Sequence, residues 1–267
     1  MSGITNMSDI FVFFNNVSQS AQAVFQQADD GTLQTEIMAS FKKLRQLVEV
    51  QGSGNIIARE FPVSSFMRLH LSVRGDVVLK QSDDEKVVIE ADDNLLNLNI
   101  FEVVNSGRTL YVTYSNKLRL PVFTKLKITV YLRQIDTLYN ASQGDLATDG
   151  AIVLSESLDV NIQSQGNTVL NLKAPSIDLS TSSQGNVEVS GECAEANLKT
   201  QSQGNLNCRN LKAQDVKLRN MSQGNAEIYS ENSVSIRHMG QGYVHYYGPG
   251  KLKDIQHYGD GEVKHMK

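Results

Sequence analysis

Leu179-Ser180-Thr181-Ser182-Ser183-Gln184-Gly185-Asn186-Val187-Glu188-Val189 carries the pattern that decides the fold, because its parts return along the chain at near-constant intervals. The tetrapeptide Ser183-Gln184-Gly185-Asn186 has close copies at Ser142-Gln143-Gly144-Asp145, Ser164-Gln165-Gly166-Asn167, Ser202-Gln203-Gly204-Asn205 and Ser222-Gln223-Gly224-Asn225. Two degraded copies follow, Gly240-Gln241-Gly242-Tyr243 and Gly259-Asp260-Gly261-Glu262. Successive central glycines are 22, 19, 19, 20, 18 and 19 residues apart. A motif returning at this period marks a repeat architecture.

Around each central glycine the apolar residues alternate with polar ones. Six residues before it stand Leu138, Val160, Leu179, Leu198, Leu218, Ile236 and Ile255, and eight before it the middle copies carry Leu158, Ile177, Ala196, Val216 and Val234. Two after it come Leu146, Thr168, Val187, Leu206, Ala226, Val244 and Val263. A period of two describes a strand with one face on a core, and the three-and-four spacing of a helical repeat is missing. One such coil is too thin to bury its own apolar face, so its neighbours must supply the core. The predicted fold is therefore all-β, a β-solenoid whose coils stack about 4.8 Å apart.

The central glycine then sits at a corner that needs either a positive φ or a close backbone approach. Ser142, Ser164, Ser183, Ser202 and Ser222, two residues earlier, point inward, where their hydroxyls can bond to one another or to corner amides. Gln143, Gln165, Gln184, Gln203 and Gln223 fall in the opposite phase, as do Asn167, Asn186, Asn205 and Asn225, and the expectation is two outward ladders of side-chain amides. Stacked amides bond along a solenoid axis as they do in cross-β stacks; the same array also suits sugar hydroxyls.

Upstream the pattern changes. Ile10, Phe13, Phe14, Val17, Ala21 and Val24 share one face at helical spacing over 8–29, and Leu33, Ile37, Phe41, Leu44 and Val48 repeat the pattern after Asp29-Asp30-Gly31. Residues 1–49 read as a helical extension that caps the solenoid, drives oligomerisation or lies on a membrane surface. From Gly52 to about Thr129 the segments Met67–Val73, Val77–Leu79, Lys86–Glu90, Leu98–Val103, Thr109–Tyr114 and Lys125–Tyr131 read as strands. Asp83-Asp84 and Asn105-Ser106-Gly107 read as turns between them. Two weaker copies of the repeat fall here, Gly52-Ser53-Gly54-Asn55 and Val73-Arg74-Gly75-Asp76. The expected organisation is an extension over 1–49 and a β-helix over 50–267, with irregular coils over 50–135 and regular ones over 136–267.

Composition narrows the function. The 267 residues carry a formal charge of -4, which offers no global attraction to nucleic acid. Cys193 and Cys208 occupy different repeat positions and read as free, buried thiols rather than a disulfide framework. No apolar run approaches the ~20 residues of a membrane-spanning helix. Ile10–Phe14 is short and no Lys or Arg precedes it, so no secretory signal is recognisable and a cytoplasmic location stays open.

With Gly52-Ser53-Gly54-Asn55-Ile56-Ile57-Ala58-Arg59-Glu60-Phe61 before it, with Phe66–Leu79 and Val87–Leu96 as opening segments, and with the glycine repeat, the chain from about residue 50 to its end resembles the bacterial head GIN domain family, also called putative auto-transporter adhesin. The resemblance implies a right-handed parallel β-helix and a binding role at the cell surface or envelope, and it brings no catalytic residues. Ser-Gln-Gly-Asn stands here where Ser-Gly-Ser-Gly-Asp is more usual in that family.

Several side chains are candidates for binding. Tyr229 and Tyr247 share a repeat position on the outward phase with Tyr243, Tyr246 and Tyr258 nearby, a cluster suited to stacking on sugars or a partner protein, or to shielding the solenoid's end. Lys199, Arg219 and Arg237 each stand five residues before a central glycine, where an anionic glycan or lipid head group would relieve their repulsion, as would solvent or nearby carboxylates. His238 and His257 share an inward position, but a zinc site needs three or four converging ligands, so no metal or cofactor is expected. Arg74-Gly75-Asp76 spells a cell-attachment tripeptide inside a repeat copy that already accounts for its glycine and aspartate. No nucleophile elbow, P-loop or His-Glu-x-x-His helix is present. The expected function is a non-enzymatic binding or adhesion module for a glycan or surface protein. A carbohydrate-active enzyme on the same scaffold and a self-assembling structural scaffold are the alternatives.

Overall fold

A computed structural model describes residues 49–114 and 120–266. The helical pattern read over 8–29 and 33–48, with the oligomerisation role attached to it, lies outside the described residues. Over the described residues the chain is all-β, a β-solenoid of about six turns with one short helix, Asp93–Leu96.

Two compact units divide the described residues: 49–57, 91–101, 114 and 120–125 fall in the first, and 58–90, 102–113 and 126–266 in the second. The second unit holds the solenoid. Its strands form two parallel stacks, one entering each glycine corner and one leaving it. The entering stack runs Thr109–Tyr114, Arg68–Ser72, Thr137–Asn140, Leu158–Ile162 and Ser176–Thr181, then the ends of Val187–Thr200, Leu206–Asn220 and Ala226–His238, and last Lys251–His257. The leaving stack begins with Leu126–Leu132, Asp76–Gln81, Leu146–Thr148 and Thr168–Lys173. It continues through the starts of the three long strands to Val244–Tyr247 and Val263–His265.

The core is a set of columns. Leu110, Leu69, Leu138, Val160, Leu179, Leu198, Leu218, Ile236 and Ile255 lie directly over one another. All but Ile255, in the last coil, are buried. The coil order departs from chain order. Arg68–Ser72 sits between Thr109–Tyr114 and Thr137–Asn140, so the coil at Gly75 lies against the coil at Gly144. Leu69 continues the aliphatic column on both sides, which is the physical reason the insertion holds.

The two weak repeat copies part company. Gly75 joins the glycine column: a Cβ on Gly144 would strike its carbonyl. Gly52-Ser53-Gly54-Asn55 does not. It wraps the acidic pair Asp92-Asp93 within the first unit, where a Cβ on Gly52 would strike the Asp92 carboxylate. Asp92 is buried and accepts hydrogen bonds from the backbone amides of Gly54 (2.8 Å) and Thr124 (2.8 Å). Burial opposes its charge, but these donated bonds outweigh it and hold the carboxyl below its usual range. The pair thus anchors a loop, and Leu98-Asn99, expected in a strand, follows the short helix instead.

The column glycines serve close approach. Left-handed φ angles occur at Gly54, Gly107, Gly150, Gly191 and Gly248, none of them a central glycine of the repeat. In every regular copy a Cβ would collide with the carbonyl of the glycine one coil below.

Candidate functional site

The corner beside each glycine holds itself together through asparagine. The Oδ1 of Asn167 accepts the backbone N–H of Asn186 (3.1 Å), Asn186 that of Asn205 (3.0 Å), Asn205 that of Asn225 (2.8 Å) and Asn225 that of Tyr243 (3.1 Å). Asp145 and Asp76 do the same work, accepting the amides of Asn167 (2.7 Å) and Asp145 (3.0 Å). The position therefore asks for a short side-chain acceptor, and the asparagine oxygens are committed to the scaffold. Among the described residues the glutamine side chains make no hydrogen bond to one another. Gln165, Gln184, Gln203 and Gln223 donate their backbone amides to the serine carbonyl one coil below, and Gln143 donates its own to Val73. Their side chains, like that of Gln143, lie exposed along one edge.

Inside the corner the serines are buried and bonded as their phase predicts. Ser164 and Ser183 donate to the carbonyls of Gly166 and Gly185, and Ser202 bonds to Thr181 (3.0 Å). His238 continues the neighbouring inward column of Thr181, Thr200 and Asn220, fully buried, with neither ring nitrogen hydrogen-bonded. It stacks under His257 at 5.2 Å between centroids, and His257 Nε2 meets the Gly261 carbonyl at 2.6 Å. Burial, then the neighbouring His257, lowers the His238 pKa. Among the described residues no group of three or more His, Cys, Asp or Glu side chains converges. Cys193 and Cys208 are free and buried; burial pushes the Cys193 thiol up to about 11 and the Cys208 thiol higher still.

The tyrosine cluster lies on the outer wall of the leaving stack. Tyr229 and Tyr247 are cross-strand partners, and the Arg209 guanidinium sits 4.2 Å from the Tyr247 ring centroid. Tyr243 stacks on His245 at 4.0 Å, and His245 Nε2 lies 3.0 Å from Glu262. The Tyr229 and Tyr243 hydroxyls donate to Glu231 (2.8 Å) and Glu227 (3.3 Å). The bond to Glu231, then burial, raises the Tyr229 phenol; burial, then Glu227, raises that of Tyr243. Half-buried rings beside oriented carboxylates form a surface able to stack on an apolar sugar face and accept from its hydroxyls. Tyr246 is separate, packed on His265 at 4.7 Å, and Tyr258 stands 73% exposed.

The entering stack presents a different wall. Lys199, Arg219 and Arg237 are exposed and directly paired across three coils. Further along the same outward position, His70 stacks on Tyr139 at 4.4 Å and tilts against Tyr111 at 5.2 Å. Sequence reading missed this aromatic run because the coil holding His70 lies between coils far from it in the chain; aligning Gly75 with Gly144 would have found it. Arg74-Gly75-Asp76 is absorbed by the scaffold, with Gly75 in the glycine column and Asp76 capping the next coil.

Comparison with known proteins agrees with this architecture. The structure of a putative adhesin from Bacteroides fragilis superposes with a TM-score of 0.76 at 23% identity, covering 81% of this chain and 100% of that one. A putative lipid binding protein from Parabacteroides distasonis (TM-score 0.63, 19% identity) covers 81% of this chain and 99% of its own. A putative adhesin from Parabacteroides merdae (0.62, 18%) covers 82% and 99%. At these identities the likeness is one of fold. No curated protein matches the sequence. The family described as putative auto-transporter adhesin, head GIN domain, matches residues 65–250, well over half of the chain, and the chain belongs to that family.

Proposed function

We propose that the chain is a non-enzymatic binding module of the bacterial envelope or cell surface that presents its ligand contacts on the outer walls of the solenoid. One observation carries the reading. The interior is filled by stacked aliphatic side chains, so the side chains able to recognise a ligand are displayed on long, regular faces. On the leaving wall the contact set is Tyr229, Tyr243 and Tyr247 with Glu227 and Glu262, and the exposed Gln165, Gln184, Gln203 and Gln223 extend it along the corner. The asparagines contribute rigidity rather than contacts, since their oxygens already hold the backbone. Family membership and the adhesin names of the structural relatives support a surface location.

A glycan and matrix-protein array probed with the purified chain tests this. Binding to at least one glycan or protein is expected, weakened about tenfold or more by Tyr243→Ala or Tyr247→Ala, as for aromatic hot spots. An array without binding refutes the reading. So does turnover of a polysaccharide that is abolished by a single Asp, Glu or Lys substitution.

A further inference from the structure

The outer wall of the entering stack carries an open groove of about 480 Å³ whose lining is graded in charge. Lys199, Arg219 and Arg237 are neighbours on successive coils, and Lys217 projects beside Arg219 on the same strand. All four are exposed, and among the described residues none makes an ion pair. Ser180, Asn197, Ser235 and Gln256 lie among them, half-buried, offering neutral hydrogen-bonding groups. Carboxylates bound the cationic stretch at both ends. Asp178 pairs with Asp159 on one side, and Asp254 stands on the other. Asp159 and Asp178 are carboxylates paired directly across neighbouring coils, so that end of the groove repels anions.

From this placement we infer that the Lys199–Lys217–Arg219–Arg237 stripe is a binding site for a linear acidic polysaccharide running along the solenoid axis. The inference deepens the binding-module reading by naming a ligand class, but it uses a different wall from the tyrosines. Coils repeat every ~4.8 Å, so the cations form a line of charges at that pitch. A polyuronate, with one carboxylate on each ring of an extended chain, offers a line of opposing charge. Its hydroxyls match the serine, asparagine and glutamine groups between the cations. A flat anionic bilayer fits less well, because it would cover the whole wall, Asp159, Asp178 and Asp254 included, whereas a single chain can follow the column from Ser180 through Lys199, Arg219 and Arg237 to Gln256 beside them. Extended nucleic acid fits less well too, since the chain is net negative and no aromatic side chain lies in the stripe to stack on bases.

The test uses the full chain and polygalacturonate oligomers, with neutral dextran, phosphatidylglycerol vesicles and single-stranded DNA as comparators. Expected is binding to polygalacturonate and not to dextran, weakening about tenfold or more between 50 and 200 mM salt as counterion release requires. Arg219→Gln is expected to cost about tenfold in affinity, the weight of charge-assisted hydrogen bonds. The quadruple glutamine variant at positions 199, 217, 219 and 237 abolishes binding while keeping the wild-type circular dichroism and melting temperature. Lys212→Gln, at an exposed cation outside the stripe, leaves polygalacturonate affinity unchanged, which separates this site from general surface charge. Absence of polygalacturonate binding overturns the inference, as does equal binding by the quadruple variant, or binding only to vesicles or DNA. A positive array with a negative polygalacturonate result defeats this inference and leaves the binding-module reading standing.

Discussion

Replacing Gly204 by alanine tests the glycine column most directly, because two effects of opposite sign compete there. Gly204 is not in a left-handed conformation, so alanine is allowed by the backbone. On chain entropy alone the substitution should stabilise the protein by about 0.4–1 kcal/mol. The steric effect runs the other way. A Cβ at this position would lie 2.6 Å from the Gly185 carbonyl carbon and 2.9 Å from the Gln184 oxygen, and closer still to the Gly185 oxygen. Restoring contact distances of about 3.5 Å means parting the coils by roughly 1 Å. That stretches Gln203 N–H to Ser183 O, already 3.3 Å, past the hydrogen-bond limit. It also strains Asn205 N–H to Asn186 Oδ1 at 3.0 Å. Two weakened bonds at about 1 kcal/mol each, with lost packing around them, outweigh the entropy term, for a net destabilisation of about 2–3 kcal/mol. Gly150→Ala is the contrast. Gly150 has φ 83° and open space, with nothing within 4 Å of where a methyl would stand, so its cost is conformational, about 1–2 kcal/mol. Urea unfolding followed by circular dichroism, with hydrogen exchange at Asn205, reads both variants. A Gly204→Ala protein as stable as wild type would refute the close-approach account.

Other consequences concern the two polar columns. Asn186→Ala removes the acceptor for the Asn205 amide and should cost about 1 kcal/mol in urea unfolding, whereas Asn186→Asp, copying Asp145, should stay within about 0.5 kcal/mol. Burial holds the His238 pKa below its ordinary value of about 6.5, so as pH drops below that value the unfolded chain binds more protons there and stability falls. The slope from one such group is at most about 1.4 kcal/mol per pH unit. His238→Thr, copying Thr181 and Thr200 of the same column, should flatten it in pH-dependent melts; His70, lowered by its own burial, adds a slope of the same sign. An unchanged pH profile in His238→Thr would exclude the buried imidazole as the source.

The repeat made the regular coils legible because stacking forces like onto like. Once Leu138 and Val160 are seen six residues before their glycines, every later column member is dictated by the period, and the strand phases over 136–267 follow. The coil at Gly75 was legible as a repeat copy but not in its place. Nothing local in Val73-Arg74-Gly75-Asp76 says that its upper neighbour is Gly144, 69 residues on; that pairing comes from Leu69 bridging Leu110 and Leu138, a long-range fit. Gly52-Ser53-Gly54-Asn55 misled for the converse reason. Glycine, serine and asparagine also build tight loops around a carboxylate, and composition alone does not separate a loop that cradles Asp92 from a corner that stacks on a coil.

The same physics says where recognition should be sought in such a scaffold. The inward position six residues before the glycine is aliphatic in every coil, because a polar side chain there would be buried without partners. The outward position one residue later reads Tyr111, His70, Tyr139, Asn161, Ser180, Lys199, Arg219, Arg237 and Gln256 in spatial order. Both positions lie on the same strands with the same hydrogen-bonded backbone, so propensity and register act on them equally. They differ in that solvent tolerates any side chain on the outer one. Its run from aromatic through neutral to cationic is therefore unconstrained by folding, and three adjacent cations there raise the energy of the unliganded protein rather than lower it. A feature that the fold does not need, and that repels itself until an anion arrives, points to a ligand more strongly than the conspicuous Ser-Gln-Gly-Asn tracts, whose serines, glycines and asparagines the stacking already employs.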